Sequence, residues 1–214
     1  LVVTSGVGSI GKKTFEYLEG VLDQSEAFTW KICSWHKQQR DYQVGDKGDA
    51  VPWKYYKLCR ERGAIIAQGH EHSYSRTHTM SDFEDFKVVD QDSLLRVGGG
   101  MSFAFTNGLG GASIREQKLC KRKGECPYWA KIYTRDQGAK AGALFCTFYV
   151  NNQPDLAECY FKTIKGDIID RFGIQSLNAG RVLGVEPPGS VWFPAARSTK
   201  HDVIDQTSHR HQCL

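Results

Sequence analysis

The sequence predicts an α/β fold in which α/β units come first and antiparallel strands follow. Three observations lead there. Val51 to Arg62 reads as a helix that Gly63 ends in the left-handed cap position, and the short apolar run Ala64 to Ala67 follows at once. A helix feeding a buried strand that runs straight into a loop, here Gly69-His70, is the pattern of an α/β unit. After that loop the readable segments are strands: Val88, Leu94 to Val97, Ala143 to Val150, Leu156 to Thr163 and Ile168 to Phe172. Lys165-Gly166-Asp167 reads as the tight turn of a terminal hairpin.

The upstream elements follow the same reasoning. Leu1 to Thr4 is a short strand, and Lys13 to Leu22 is a helix with Phe15, Leu18 and Leu22 on one face. Phe28 to Ser34 alternates as a strand, and the Gly- and Asp-rich stretch Lys37 to Asp49 reads as polar loop. Between the later strands, Gly98 to Gly142 is Gly-rich, irregular and too long for a passive connection. From Gln175 periodicity disappears. We therefore divide the chain into a domain, residues 1–174, and an extended tail, residues 175–214, that wraps on its own domain or on a partner.

Composition narrows the function classes. The 214 residues suffice for one domain with a tail, and 40% hydrophobic with 24% charged residues is ordinary for a globular protein. No run of eighteen apolar residues exists, which argues against a membrane-spanning helix. The net charge of +4 is mild. Lys118, Lys121, Arg122 and Lys123 cluster without interleaved aromatics, which favours a solvated loop over a nucleic-acid surface.

Seven cysteines favour an oxidising compartment, hence a secreted or organelle-lumen protein. Cys120 and Cys126 flank a short loop that a disulfide would close, and Cys146 and Cys159 fall on two candidate strands that would face each other. Cys213 is left as the natural unpaired thiol. No Cys-x-x-Cys pair is present to suggest a thiolate zinc site. The sequence begins at Leu1 with neither methionine nor signal segment, which reads as a processed form or a part of something longer.

Two glycine patterns compete for attention. Gly6-Val7-Gly8-Ser9-Ile10-Gly11 matches the dinucleotide fingerprint, yet the next strand ends in Trp35-His36 with no carboxylate for a ribose. As a phosphate-cradling loop it fails too, because Lys13 stands where a Ser or Thr should meet Mg²⁺ and Thr14 comes one residue late. The segment is read as a surface loop.

The histidines carry more. His70 and His72 follow the buried strand in an extended His-x-His, where alternate residues point the same way and Glu71 points opposite. His36 lies just past the end of the preceding strand, so two strands of one sheet would bring all three rings to one rim. Imidazole suits Zn, Fe and Mn. His209 and His211 have the same spacing but sit in the tail, with no fold signal around them.

The segment Gly69-His70-Glu71-His72-Ser73-Tyr74-Ser75-Arg76-Thr77 resembles the final Gly-His-x-His motif of the calcineurin-like metallophosphoesterases, the superfamily that includes purple acid phosphatases. Trp30 to His36 resembles that family's preceding motif, an apolar strand ending in a metal-binding histidine. Gly108-Leu109-Gly110-Gly111 and Gly142-Ala143-Leu144-Phe145 resemble segments that follow in some secreted-type members. The resemblance covers Phe15 to Phe172. It implies the C-terminal half of a four-layer α/β/β/α sandwich and phosphoester hydrolysis at two metal ions (Fe, Zn or Mn). It further implies that His36 and His70 hold one metal and His72 the other, with Tyr74 and Arg76 lining the pocket for a phosphorylated substrate.

The family's earlier motifs, Asp-x-His or Asp-x-Gly, then Gly-Asp, then Gly-Asn-His, are absent upstream of His36. Gly45-Asp46, Gly48-Asp49 and Gly166-Asp167 come too late, and no Asn-His pair exists. The catalytic residues are therefore not assigned. The expectation is a C-terminal portion whose remaining ligands come from a missing N-terminal half or another chain. The competing expectation is a non-catalytic structural or assembly subunit, with the tail as its docking arm.

Overall fold

The computed structural model describes residues 2–4, 12–45 and 47–178. The Gly6–Gly11 pattern, Cys213, the His209/His211 pair and the tail from residue 179 onward lie outside the described residues.

The chain runs β1 (Val2–Thr4), α1 (Lys12–Asp23), β2 (Ile32–Trp35), α2 (Trp53–Glu61) and β3 (Ile65–Gln68), then β4 (Tyr74–Thr77), β5 (Thr79–Asp82) and β6 (Lys87–Asp90). It continues through β7 (Leu94–Val97), β8 (Ala104–Asn107), the short α3 (Leu119–Lys123), β9 (Trp129–Tyr133), β10 (Gly142–Phe148), β11 (Leu156–Thr163) and β12 (Ile168–Ser176). A six-stranded sheet has the order β1-β2-β3-β8-β4-β9, its first four strands parallel and the last two joined antiparallel. A four-stranded sheet has the order β10-β11-β12-β7, antiparallel except where β12 meets β7. The result is mixed sheets with few helices, the α/β units leading and antiparallel pairs following.

Burial explains the layering. On one face of the larger sheet, Leu18 and Leu22 of α1 and Tyr55, Leu58 and Cys59 of α2 share a core with Cys33, Trp35 and Ile66. The Cys33–Cys59 disulfide crosses that layer and ties β2 to α2. On the opposite face, Ile65 and Phe103 meet Leu95, Ala157, Phe172 and Ile174 of the smaller sheet. Each of the Ile, Leu and Phe side chains contributes about 1.5–3 kcal/mol when fully buried, so this second core binds the two sheets together. The described residues thus form three layers: helix, sheet, sheet. A fourth helical layer is not among them, and Phe145 on the smaller sheet is half exposed.

Several expectations need correction. The strand placed at Phe28 to Ser34 begins only at Ile32 and extends to Trp35; Phe28 lies in a turn in which its N–H donates to the Ser25 carbonyl. The stretch Gly98 to Gly142 is not irregular throughout, since it carries β8, α3 and β9. β8 has four residues and little pattern of its own. It is a strand because β3 and β4 flank it and satisfy its backbone on both sides. The Lys37–Asp49 loop is not wholly solvated: Gln38, Gln39, Tyr42, Gln43 and Val44 are inside. Tyr42 stacks on Tyr56 at 5.5 Å between ring centroids, touches Phe83 and Tyr128 at 5.6 and 5.3 Å, and donates its hydroxyl proton to the Phe83 carbonyl.

The terminal hairpin turns where expected, with Gly166 at φ +95 and its N–H donating to the Thr163 carbonyl. β12 runs on past Phe172 through Ser176, beyond the expected tail boundary at Gln175, because its second half pairs in parallel with β7. Cys120–Cys126 and Cys146–Cys159 are disulfides, the latter joining directly opposed residues of β10 and β11. Cys33–Cys59 was not read from the sequence. Three disulfides are consistent with an extracellular or lumenal protein. Among the described residues, no helix is long and apolar enough to cross a membrane.

Candidate functional site

β2 and β3 are parallel neighbours with Trp35 opposite Gln68, so the residues that follow them emerge at the same edge. His36 and His70 meet there. His70 Nδ1 lies 3.2 Å from His36 Nε2, and the rings stand edge to face at 5.0 Å. Two local features make the approach possible. Gly69 N–H donates to the His36 carbonyl, and a Cβ at Gly69 would stand 3.3 Å from His36 Nδ1. His70 itself takes φ +56, a left-handed conformation that costs a side-chain-bearing residue about 1–3 kcal/mol and concentrates at functional sites.

Protonation follows from the partners. Lys47 Nζ stands 3.1 Å from His70 Nε2 and can only donate, so that nitrogen accepts. The proton of His70 therefore sits on Nδ1 and is shared with His36 Nε2. Burial first, then the charges of Lys47 and His36, lowers the His70 pKa to about 4, so the ring is neutral in ordinary buffers. His72 Nδ1 lies 2.8 Å from the Ser113 carbonyl, an acceptor only, which fixes the proton on Nδ1 and leaves Nε2 with its lone pair.

His36, His70 and His72 line one open cavity of about 380 Å³, together with Asn107, Gly108 and Gly110. Glu71 turns the other way and is completely buried. Its carboxylate packs on Gly45, where a Cβ would come within 2.3 Å, and its carbonyl packs on Gly108, where a Cβ would come within 1.8 Å. Neither carboxylate oxygen has a hydrogen-bond partner among the described residues; Arg115 Nε, at 3.5 Å, supplies only charge. Burial raises the Glu71 pKa, and Lys47 and Arg115 oppose that rise.

The structure separates Tyr74 and Arg76 from this cavity. Both are buried on β4 and turned to Asp170 of β12. Arg76 Nε and Nη2 donate to the two Asp170 oxygens at 2.8 and 3.0 Å, and the Tyr74 hydroxyl donates to Oδ2 at 2.7 Å. Arg76 also lies 4.2 Å over the Phe172 ring. Burial pushes the Asp170 carboxyl up, but Arg76 and Tyr74 together outweigh it and hold the group below its ordinary range. The pocket-lining role expected for Tyr74 and Arg76 is replaced by a bridge between the two sheets.

Sequence reasoning missed Lys47 and Arg115. Arg115 N–H donates to the His72 carbonyl, which places its side chain beside the histidine loop. The available signals were Lys47 set between two Gly-Asp pairs and Arg115 shortly after the Gly108–Gly111 run.

Among the described residues, no group of three His, Cys, Asp or Glu side chains converges as a metal cage. The His36–His70 pair does fit as one edge of such a cage. Its 3.2 Å nitrogen separation is close to the edge, about 3.3–3.4 Å, of a tetrahedron with metal–nitrogen bonds of about 2.0–2.1 Å.

No protein-family model matches the chain, and no curated protein matches it. A solved structure of PhoD is similar over 79% of this chain and 34% of that chain, with 14% identity and a TM-score of 0.48. The chain thus spans about a third of the length of that structure. A likeness at this level carries no functional argument.

Proposed function

We propose that the chain supplies the histidine half of a two-metal phosphoester hydrolase. The observation that carries the reading is the convergence of His36 and His70 from adjacent parallel strands, with His72 on the same cavity wall. The sequence resemblance to calcineurin-like metallophosphoesterases across Gly69–Thr77 and Trp30–His36 supports it. A metal ion would take the place of the proton that His36 Nε2 and His70 Nδ1 share, and His72 Nε2 would serve a second ion. Bound metal supplies polarisation of the phosphoryl oxygens and a water of lowered pKa. The remaining ligands belong to residues outside the described ones or to another chain, which would also complete the four-layer sandwich. His70 is neutral, which suits a ligand; ligation through Nδ1 would move its remaining proton to Nε2, beside Lys47.

Zinc or manganese titration of the full chain by calorimetry, with phosphatase assays on the loaded protein, tests the reading. Binding that is lost in His36→Ala and His70→Ala supports it. Absence of binding to the wild-type chain, with no phosphatase activity in native material, would leave the assembly-subunit reading in its place.

A further inference from the structure

We propose that an apolar groove beside the histidine cavity receives the aromatic group of an aryl phosphoester. The groove belongs to the fold alone; naming its occupant as part of a substrate rests on the hydrolase reading.

The groove forms at the start of β10. Ala141, Gly142 and Ala143 line it, and with no bulk on three successive residues the surface dips there. Gly142 has no room for a side chain, since a Cβ would stand 2.8 Å from the Phe161 ring and 2.5 Å from the Lys162 carbonyl. Phe145 shares a strand face with Ala143, and its ring stacks at 5.5 Å on Tyr160, the residue opposite it on β11. Ile164 is held at the groove by its N–H, which donates to the Ala141 carbonyl. Phe145 is 49% exposed and Ile164 74%, and both line the same hollow of about 350 Å³. Single apolar side chains at a surface need no explanation, but two fixed around one hollow do.

The Gly108–Gly111 run ties this groove to the histidines. Leu109 is buried with Tyr74, Tyr133 and Phe161, and its carbonyl accepts the Gly142 N–H, so the run is stitched to the start of β10. Gly110, the next residue, lines the groove and the histidine cavity alike. A Cβ there would meet nothing within 4 Å, so no side chain divides the two hollows at that residue.

The lining selects the occupant. It is predominantly apolar. An apolar cavity of about 150 Å³ accepts a benzene ring, so this hollow takes one ring or two fused ones. Phe145, already stacked on Tyr160, offers an aromatic contact that a second ring meets better than an aliphatic chain. Two exposed side chains supply far less than the about 800 Å² per partner of a stable protein interface, which favours a small group over another chain. With its ring in the groove, a phosphoester would extend its phosphate past Gly110 to the histidines.

The test titrates the full chain with 1-naphthol, which needs only the groove, and the zinc-loaded chain with 1-naphthyl phosphate. The expected result is naphthol binding that weakens about tenfold in Phe145→Ser and in Ile164→Ser. 1-Naphthyl phosphate should bind about tenfold tighter than naphthol, and Gly110→Leu, with thermal unfolding intact, should erase that gain by standing between the hollows. Absence of naphthol binding, or binding unchanged in both Phe145→Ser and Ile164→Ser, overturns the proposal. So does a dimer in sedimentation that both variants dissolve, which gives the face to a second copy. Octyl phosphate bound as tightly as 1-naphthyl phosphate overturns the aromatic preference. Hydrolysis with the same KM for 1-naphthyl and methyl phosphate keeps the hydrolase and removes the groove from its substrate site. Naphthol binding that depends on Phe145 and Ile164, without hydrolysis of 1-naphthyl phosphate, sustains the groove and removes the hydrolase.

Discussion

At the scale of single residues, environment divides groups that look alike in the sequence. His70 is held neutral down to about pH 4 because it is partly buried beside Lys47 and His36. In the unfolded chain the same imidazole takes a proton near pH 6.5. Between those values the unfolded state binds more protons, so the stability of the fold falls as pH drops from about 6.5 towards 4 and is unaffected by this group above. Urea unfolding at a series of pH values should show that acid loss, and His70→Asn should flatten it. Arg76 has the opposite character, a cation committed to the interior. Removing it in Arg76→Met leaves Asp170 and Tyr74 facing each other without a counter-charge, and the expected loss is about 3–5 kcal/mol in denaturant unfolding. The double variant Arg76→Met with Asp170→Leu should lose less than the single one, since no unpaired charge stays inside.

Elements here are held by contacts distant in sequence. The β2 strand that presents His36 has four residues, too few to be stable alone, and Cys33–Cys59 fixes it to α2 across 26 residues. Closing a loop of that length is worth about 3.5 kcal/mol in the chain-entropy account. A Cys33→Ser/Cys59→Ser variant should therefore unfold at lower denaturant by roughly 2–4 kcal/mol and loosen the His36–His70 contact. The histidine loop depends on glycines in its neighbours in the same way. Gly108→Ala should damage the site more than Gly45→Ala, although both face Glu71. At Gly108 the obstruction is a backbone carbonyl, which cannot swing aside, whereas at Gly45 it is the end of a side chain. Thermal melts of the two variants give the order directly.

At the scale of the molecule, the core between the sheets joins the α/β half to the antiparallel half. Trp30 from the approach to β2 donates its indole proton to the Pro154 carbonyl and packs on Phe148, and Ser176 at the end of β12 donates to the Thr29 carbonyl. These ties cross from one sheet to the other, so neither should melt alone. Far-UV circular dichroism and tryptophan fluorescence are expected to report one coincident unfolding transition. Two separated transitions would mean that the sheets are independent units.

The sequence by itself determined that α/β units lead and antiparallel strands follow, with α1, α2, β3, β7, β10, β11 and the terminal hairpin in their places. Periodicity, the Gly63 cap and the Lys165-Gly166-Asp167 turn are local signals, and local chemistry is legible in order along a chain. Glu71 does turn away from the cavity, but not through the alternation of an extended segment: His70 is left-handed and the loop bends at each step. Tertiary structure alone decided what lay between distant residues. It made β8 a strand by flanking it, drew the polar-looking Tyr42 loop into an aromatic core, and paired Cys33 with Cys59. It also turned Tyr74 and Arg76 to Asp170, and set Lys47 against His70 and Arg115 against Glu71. Each of those outcomes rests on burial and charge pairing between segments tens of residues apart, and no local pattern encodes which partner a buried cation will find.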